Sequence, residues 1–172
     1  MAIIRKWDTV KGKGKCSLFV LSINMVYCII VLFFLLDEFT SFDIKNQTLK
    51  SFIYFGVLIG TPAMLFWNLF SERILLIVYP MLFLILIIIV HPIRILFQSS
   101  AWETRAIFYE HKHKSCKTIE LQWQDIGALG YNRREVEVTY FTPFFMITRK
   151  VPPDISQNPE WIKVDDSNNI IE

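Results

Sequence analysis

A histidine- and cysteine-containing segment, residues 110–116 with the sequence EHKHKSC, holds the side chains best suited to chemistry. On a strand, His111 and His113 project from one face, and Cys116 follows in the turn. Imidazole and thiolate groups are ligands for zinc and copper. No fourth ligand follows at a fixed spacing, and the flanking lysines favour a solvated hairpin tip. We therefore expect a polar turn without a metal, and a metal-dependent membrane enzyme is kept as an alternative.

The same segment contains the residue types of a cysteine nucleophile and its base. His113 precedes Cys116 closely, but activation of a thiol needs a base held by a third group and a pocket for substrate. A turn of this length offers neither. The sequence also contains no phosphate-binding glycine loop and no serine nucleophile elbow. These observations favour a protein that is not an enzyme and that has no cofactor.

An aromatic segment, residues 140–146 with the sequence YFTPFFM, is the second candidate. As a hairpin tip it exposes more apolar area than a solvated turn needs. It either packs on Trp123 in the sheet core or rests on the bilayer or on a partner, because large exposed apolar patches mark such surfaces. The candidate partner or membrane contacts are Tyr140, Phe141, Phe144, Phe145 and Trp123.

The elements that must position these residues begin with apolar runs. Residues 74–90 contain no charged side chain and no polar stripe, unlike a core helix of a soluble protein. With 53% hydrophobic residues, the composition is too apolar for a soluble chain of 172 residues. We predict transmembrane helices at about 16–36, 51–70 and 74–97, within a helical region 16–97 that follows a basic segment, 1–15.

Three residues are predicted to pack these helices. Gly56 and Gly60 have the small-xxx-small spacing that lets helices approach closely, and Asn24 is expected to hydrogen-bond to another helix. The spans contain no ionisable side chain before Arg94, although transporters usually place one at depth. The sequence thus argues against transport.

After residue 97 short alternating segments replace the apolar runs. Residues 117–123 alternate, with Ile119, Leu121 and Trp123 on one face and polar residues on the other. Residues 106–111, 135–140 and 144–149 are the other expected strands. The predicted fold is therefore membrane α+β: three transmembrane helices, a small antiparallel β-rich domain at 102–150, and a loose tail at 151–172.

Residues 119–126, with the sequence IELQWQDI, resemble a motif of small bacterial membrane proteins that carry a pleckstrin-homology-like domain. In those proteins membrane helices precede a β-rich domain, and a strand ends in an apolar-x-Trp-x-Asp-Ile pattern. They usually have two membrane helices, whereas three are predicted here. The resemblance implies a domain that binds a partner or the membrane surface, and it implies no catalytic residue.

The function predicted from these features is a non-enzymatic, multi-pass membrane protein whose β-rich domain binds a protein or lipid partner. The alternative is an immunity protein that protects a bacterial membrane against a pore-forming or envelope-active toxin, because small polytopic chains without catalytic residues suit that role. A formal net charge of only +2 gives no indication of nucleic-acid binding.

The predicted location is the bacterial inner membrane, with the bilayer itself as one partner. Lysines and arginines near the predicted spans divide almost evenly between the two sides, so charge does not choose an orientation. An unpaired Cys116 suits a reducing compartment. We therefore predict that the β-rich domain is cytoplasmic.

Overall fold

The computed structural model describes residues 2–70, 76–90, 92–153, 155 and 158–164, with side chains from residue 18 onward. The described helices are α1 (Ala2–Phe39), α2 (Gln47–Phe70), α3 (Val78–Val90) and α4 (Pro92–Gln98). The described strands are β1 (Phe42–Ile44), β2 (Trp102–His111), β3 (Lys117–Asp125), β4 (Tyr131–Tyr140), β5 (Phe145–Lys150) and β6 (Trp161–Lys163). The chain is thus α+β, as predicted.

Among the described residues, two helical segments are long and apolar enough to cross a membrane, Leu18–Phe39 and Gln47–Phe70. The predicted third span, 74–97, is different: α3 and α4 meet at a bend of 80° and count as a third span only if they cross together. The bend has a chemical reason, because Pro92 lacks an amide hydrogen and suits the first position of a new helix. Of the predicted span, residues 74, 75 and 91 lie outside the described part of the chain.

The helices bury polar groups and expose apolar ones. Val31, Phe34 and Val57 form a small core between α1 and α2, while large apolar side chains such as Ile59, Phe70 and Ile89 are exposed. Asn24, Thr61 and Asn68 are buried. Buried polar side chains within the helix contacts, together with large apolar side chains on the outer surface, are typical of helices packed in hydrocarbon.

The six described strands form one antiparallel sheet in the order β1-β5-β4-β3-β2-β6. Four strands were expected. The two additional strands come from outside the predicted domain: β1 from the connection between α1 and α2, and β6 from the tail predicted to be loose. Each has three residues, which is too short for an alternating pattern to reveal. Because β1 follows α1 directly, the sheet lies at the carboxyl end of α1.

The two faces of β3 are divided as predicted, but the polar face is the more buried one. Glu120, Gln122 and Gln124 are buried, whereas Leu121 and Trp123 are half-buried. The buried groups are hydrogen-bonded: Gln122 accepts from the Arg134 guanidinium at 3.0 and 2.9 Å. Buried polar groups are stable when they are paired in this way.

Candidate functional site

Five phenylalanines join the β4–β5 connection to the first membrane-type helix. The Phe145 ring stacks on Phe33 of α1, with centroids 5.5 Å apart, and lies 5.2 Å from Phe42 of β1. Phe141 lies 5.9 Å from Phe42, and Phe144 lies 6.4 Å from Phe145. We call Phe141, Phe144 and Phe145 the aromatic tip. The expectation that this segment packs on Trp123 is wrong, because its partners are Phe42 and Phe33.

The aromatic tip lies beside the apolar part of α1 rather than beyond its end. Phe33 is six residues before Phe39, the last residue of α1, which corresponds to about 9 Å along the helix axis. Phe141 and Phe144 are nonetheless 50% and 48% exposed. Two exposed phenylalanines therefore lie next to Phe145, the residue that contacts α1 within its apolar length.

The other two predicted contact residues are located elsewhere. Tyr140 turns into the sheet, where its hydroxyl donates to Glu120 at 2.8 and 2.9 Å. Burial raises the pKa of Tyr140, and the Glu120 carboxylate adds to that effect. Trp123 packs against Tyr131 and lies 4.5 Å from the Arg133 guanidinium. The five predicted residues thus do not form one surface.

A second apolar site, which the sequence did not predict, lies between α4 and the β3–β4 turn. This α4 groove has a volume of about 460 Å³. It is lined by Ile93, Arg94, Phe97, Gln98, Ile126, Leu129 and Asn132. Leu129 is 69% exposed in a turn between Gly127 and Gly130, both of which have positive φ. The sequence feature that could have indicated this site is an apolar residue, Leu129, in a short turn between two glycines.

A polar cavity of about 240 Å³ lies where the helix ends meet the sheet. This junction cavity is lined from the helical side by Asp37, Glu38, Thr40, Lys50, Tyr54 and Gln98. From the sheet it is lined by Asp43, Trp102, Gln124, Arg134 and Thr148. It therefore brings together residues from eight helices and strands and from the α1–β1 link.

Three ion pairs surround the junction cavity. Lys50 Nζ lies 3.0 Å from Asp37 Oδ2, and Arg134 Nη2 lies 2.9 Å from Asp43 Oδ2. Arg94 Nη2 lies 3.1 Å from Glu38 Oε1. The side chains of Lys50 and Asp37 are only 3% and 1% exposed, and such buried charges need partners. Residues 37–50 lie between the first two predicted spans, and none of these pairs was predicted.

The predicted helix-packing residues lie between helices. Asn24 of α1 and Asn68 of α2 exchange hydrogen bonds at 3.0 and 3.4 Å, and the Tyr79 hydroxyl of α3 donates to Asn24. A Cβ atom at Gly56 would lie 3.3 Å from Ile30, and one at Gly60 would lie 3.3 Å from the Tyr27 ring. Both glycines thus face α1 at close range.

The histidine-containing turn packs on the tail strand. His111 is buried, lies 5.2 Å from the Trp161 ring and places Nε2 3.7 Å from a Glu160 carboxylate oxygen. His113 donates its backbone N–H to His111 Nδ1 at 3.2 Å, and Cys116 is exposed. Within the described ranges, no three His, Cys, Asp or Glu side chains are grouped as metal ligands.

Comparison with known proteins found no matching family model, no matching curated protein and no matching solved structure. The resemblance of residues 119–126 to pleckstrin-homology-like membrane proteins stays a prediction.

Proposed function

We propose that this chain is a non-enzymatic, multi-pass membrane protein whose sheet binds the lipid bilayer beside its own helices. The observation that carries this proposal is the aromatic tip. Phe145 stacks on Phe33, within the apolar length of α1, and Phe141 and Phe144 remain exposed beside it. Exposed phenylalanine rings beside an apolar helix are stabilised by contact with lipid, because this contact removes their apolar surface from water.

The helices support the same proposal. Leu18–Phe39 and Gln47–Phe70 cross the bilayer, and the apolar α3 returns the chain to the side of the membrane on which the sheet lies. The bend at Pro92 then lays α4 along the interface, where Ile93 and Phe97 contact lipid and Arg94 contacts headgroups. The basic residues before Cys16 are at the opposite end of α1 from the sheet. In the bacterial inner membrane, the sheet faces the cytoplasm, where the reducing conditions keep the exposed Cys116 as a free thiol.

Photo-crosslinking in native membranes tests the proposal. A photoreactive phenylalanine analogue replaces Phe144, and the matched control carries the same analogue at Lys114, an exposed residue of the polar β2–β3 turn. We expect lipid adducts on the chain labelled at 144 and essentially none on the control. Equal lipid labelling at both positions, or no lipid adduct at 144, would contradict the proposal. A protein adduct at 144 without lipid would favour the protein-partner function instead.

A further inference from the structure

The junction cavity and the α4 groove are two chambers that share a wall. Gln98, the last residue of α4, lines both. Arg94 lines the groove, donates through Nε to Gln98 Oε1 at 3.1 Å and pairs with Glu38 of the cavity. One chamber is polar and the other is mostly apolar. Such an arrangement suits one amphiphilic molecule whose polar end lies in the cavity and whose apolar part lies in the groove.

The polar chamber carries both signs of charge in balance. Asp37, Glu38 and Asp43 are each paired with a cation, from Lys50, Arg94 and Arg134 in turn. A ligand carrying only a negative charge would meet three carboxylates. A zwitterion instead places each of its charges beside an opposite one and brings no net charge into the cavity.

Polar atoms around the chamber have capacity to bind such a ligand. Arg134 uses Nε and Nη2 on Gln122 and Asp43, and its Nη1 makes no hydrogen bond with the described residues. Two further donors that line the cavity, Gln98 Nε2 and Trp102 Nε1, also make no hydrogen bond within the described part of the chain. Asp43 accepts from Arg134 and Thr148 through Oδ2, and among the described residues no donor is bound to its Oδ1. Donors for a phosphate and an acceptor for an ammonium are therefore both available.

The volumes match a headgroup and part of an acyl chain. A volume of about 240 Å³ is below the ~300–1,000 Å³ of pockets that enclose whole drug-sized ligands, so the cavity takes a headgroup-sized fragment. The groove, at about 460 Å³, has room for a longer apolar segment along Ile93, Phe97 and Leu129. Both chambers lie where the helices meet the sheet, which is the level of headgroups if α1 and α2 span the bilayer.

We propose that the junction cavity and the α4 groove together bind one phospholipid with a phosphate and a primary ammonium in its headgroup. The phosphate contacts Arg134 and Gln98, the ammonium contacts Asp43, and an acyl chain lies against Phe97 and Leu129. This proposal rests on the proposed function, since the lipid comes from the bilayer that the sheet contacts. The sheet then binds a particular membrane lipid in addition to resting on the bilayer.

Native mass spectrometry of the full chain, purified in detergent, tests this site. Dioleoyl-phosphatidylethanolamine is titrated in, with dioleoyl-phosphatidylglycerol and dioleoyl-phosphatidylcholine as probes that lack the ammonium or its N–H donors. We expect one phosphatidylethanolamine per chain, bound about tenfold more tightly than either other lipid, because a hydrogen bond to a charged group is lost in each. Equal affinity for the three lipids would overturn the headgroup assignment.

Three variants locate the site. Gln98→Leu and Arg134→Lys remove donors, the second while keeping a positive charge for Asp43, and each should weaken phosphatidylethanolamine binding about tenfold. Leu129→Gln should weaken all three lipids, whereas its control Ile162→Gln, an exposed apolar residue outside the groove, should weaken none. Wild-type binding by all three variants would refute the site. Crosslinking of lipid at position 144 would still stand in that case, so this result separates the lipid site from the proposed function.

Discussion

The ion pair between Asp37 and Lys50 gives the sharpest prediction about how helices and sheet are held together. Both side chains are almost fully buried, 3.0 Å apart, and Asp37 also accepts from the Ile44 backbone N–H and the Tyr54 hydroxyl. Lys50→Met keeps the length of the side chain but leaves the carboxylate without its cation. Removing one partner of a buried pair typically costs about 3–5 kcal/mol.

The expected loss is large enough to measure by heating. For a chain of this length a change of 1 kcal/mol moves the unfolding midpoint by about 2–4 °C, so Lys50→Met should lower it by roughly 10 °C. The assay is thermal unfolding of the purified chain in detergent, followed by size-exclusion chromatography of what remains folded. Lys45→Met is the matched control, because Lys45 is an exposed lysine directly after β1. It should change the unfolding midpoint by only a few degrees.

A second substitution distinguishes an unpaired charge from lost packing. Adding Asp37→Asn to Lys50→Met removes the uncompensated carboxylate. The amide oxygen still accepts from the Ile44 N–H, and the amide nitrogen now donates to the Tyr54 hydroxyl in place of the lost carboxylate oxygen. We expect the double variant to recover at least half of the decrease in unfolding temperature that Lys50→Met causes. If the double variant is no more stable than Lys50→Met, or if Lys50→Met unfolds like the Lys45→Met control, the reasoning about the buried pair is wrong.

Three other predictions concern particular residues. Gly60→Ile should lower the unfolding midpoint clearly more than Gly60→Ala, because a single Cβ already lies 3.3 Å from the Tyr27 ring; equal midpoints would exclude close packing there. Tyr140→Phe should lower the free energy of unfolding by about 1 kcal/mol at neutral pH. Because the pKa of Tyr140 is raised in the folded state, the wild-type protein loses stability as the pH rises above 10, and the difference in stability between wild type and variant should become smaller there. Chemical denaturation of both proteins at pH 7 and at pH 11 measures this difference. With Cys16 and Cys28 replaced by serine, Cys116 should react with a membrane-impermeant thiol reagent in lysed cells but not in intact ones, and labelling of intact cells would put the sheet outside the cytoplasm.

The helices and strands that could be predicted from the sequence are those in which a regular pattern extends over many residues. An apolar run such as 74–90 and the alternation of 117–123 each repeat one rule many times, and both the helical region and β3 follow from them. Strand β1 could not be predicted this way, because its three residues show no period and it forms only by pairing with β5.

Which polar residues are buried was also beyond the sequence. Asp37 and Lys50 are thirteen positions apart and look like parts of a solvated loop, yet α1 and α2 bring them together. Asp43 and Arg134 are joined only through the sheet. The junction cavity depends on these distant pairings, whereas the aromatic tip was visible because its phenylalanines are close in sequence. Its contacts with Phe33 and Phe42 again required the fold.

The depth of the aromatic tip in a bilayer decides whether the sheet binds lipid. A nitroxide is attached to a single cysteine at position 144 in a chain whose three native cysteines are replaced by serine, and the chain is reconstituted into vesicles. Power saturation then compares the collision of the label with oxygen, which partitions into lipid, and with a water-soluble nickel chelate. We predict that the label at 144 meets oxygen and is shielded from nickel, while a label at 114 shows the opposite. If nickel reaches the label at 144 as readily as at 114, the sheet does not rest on the bilayer through this tip.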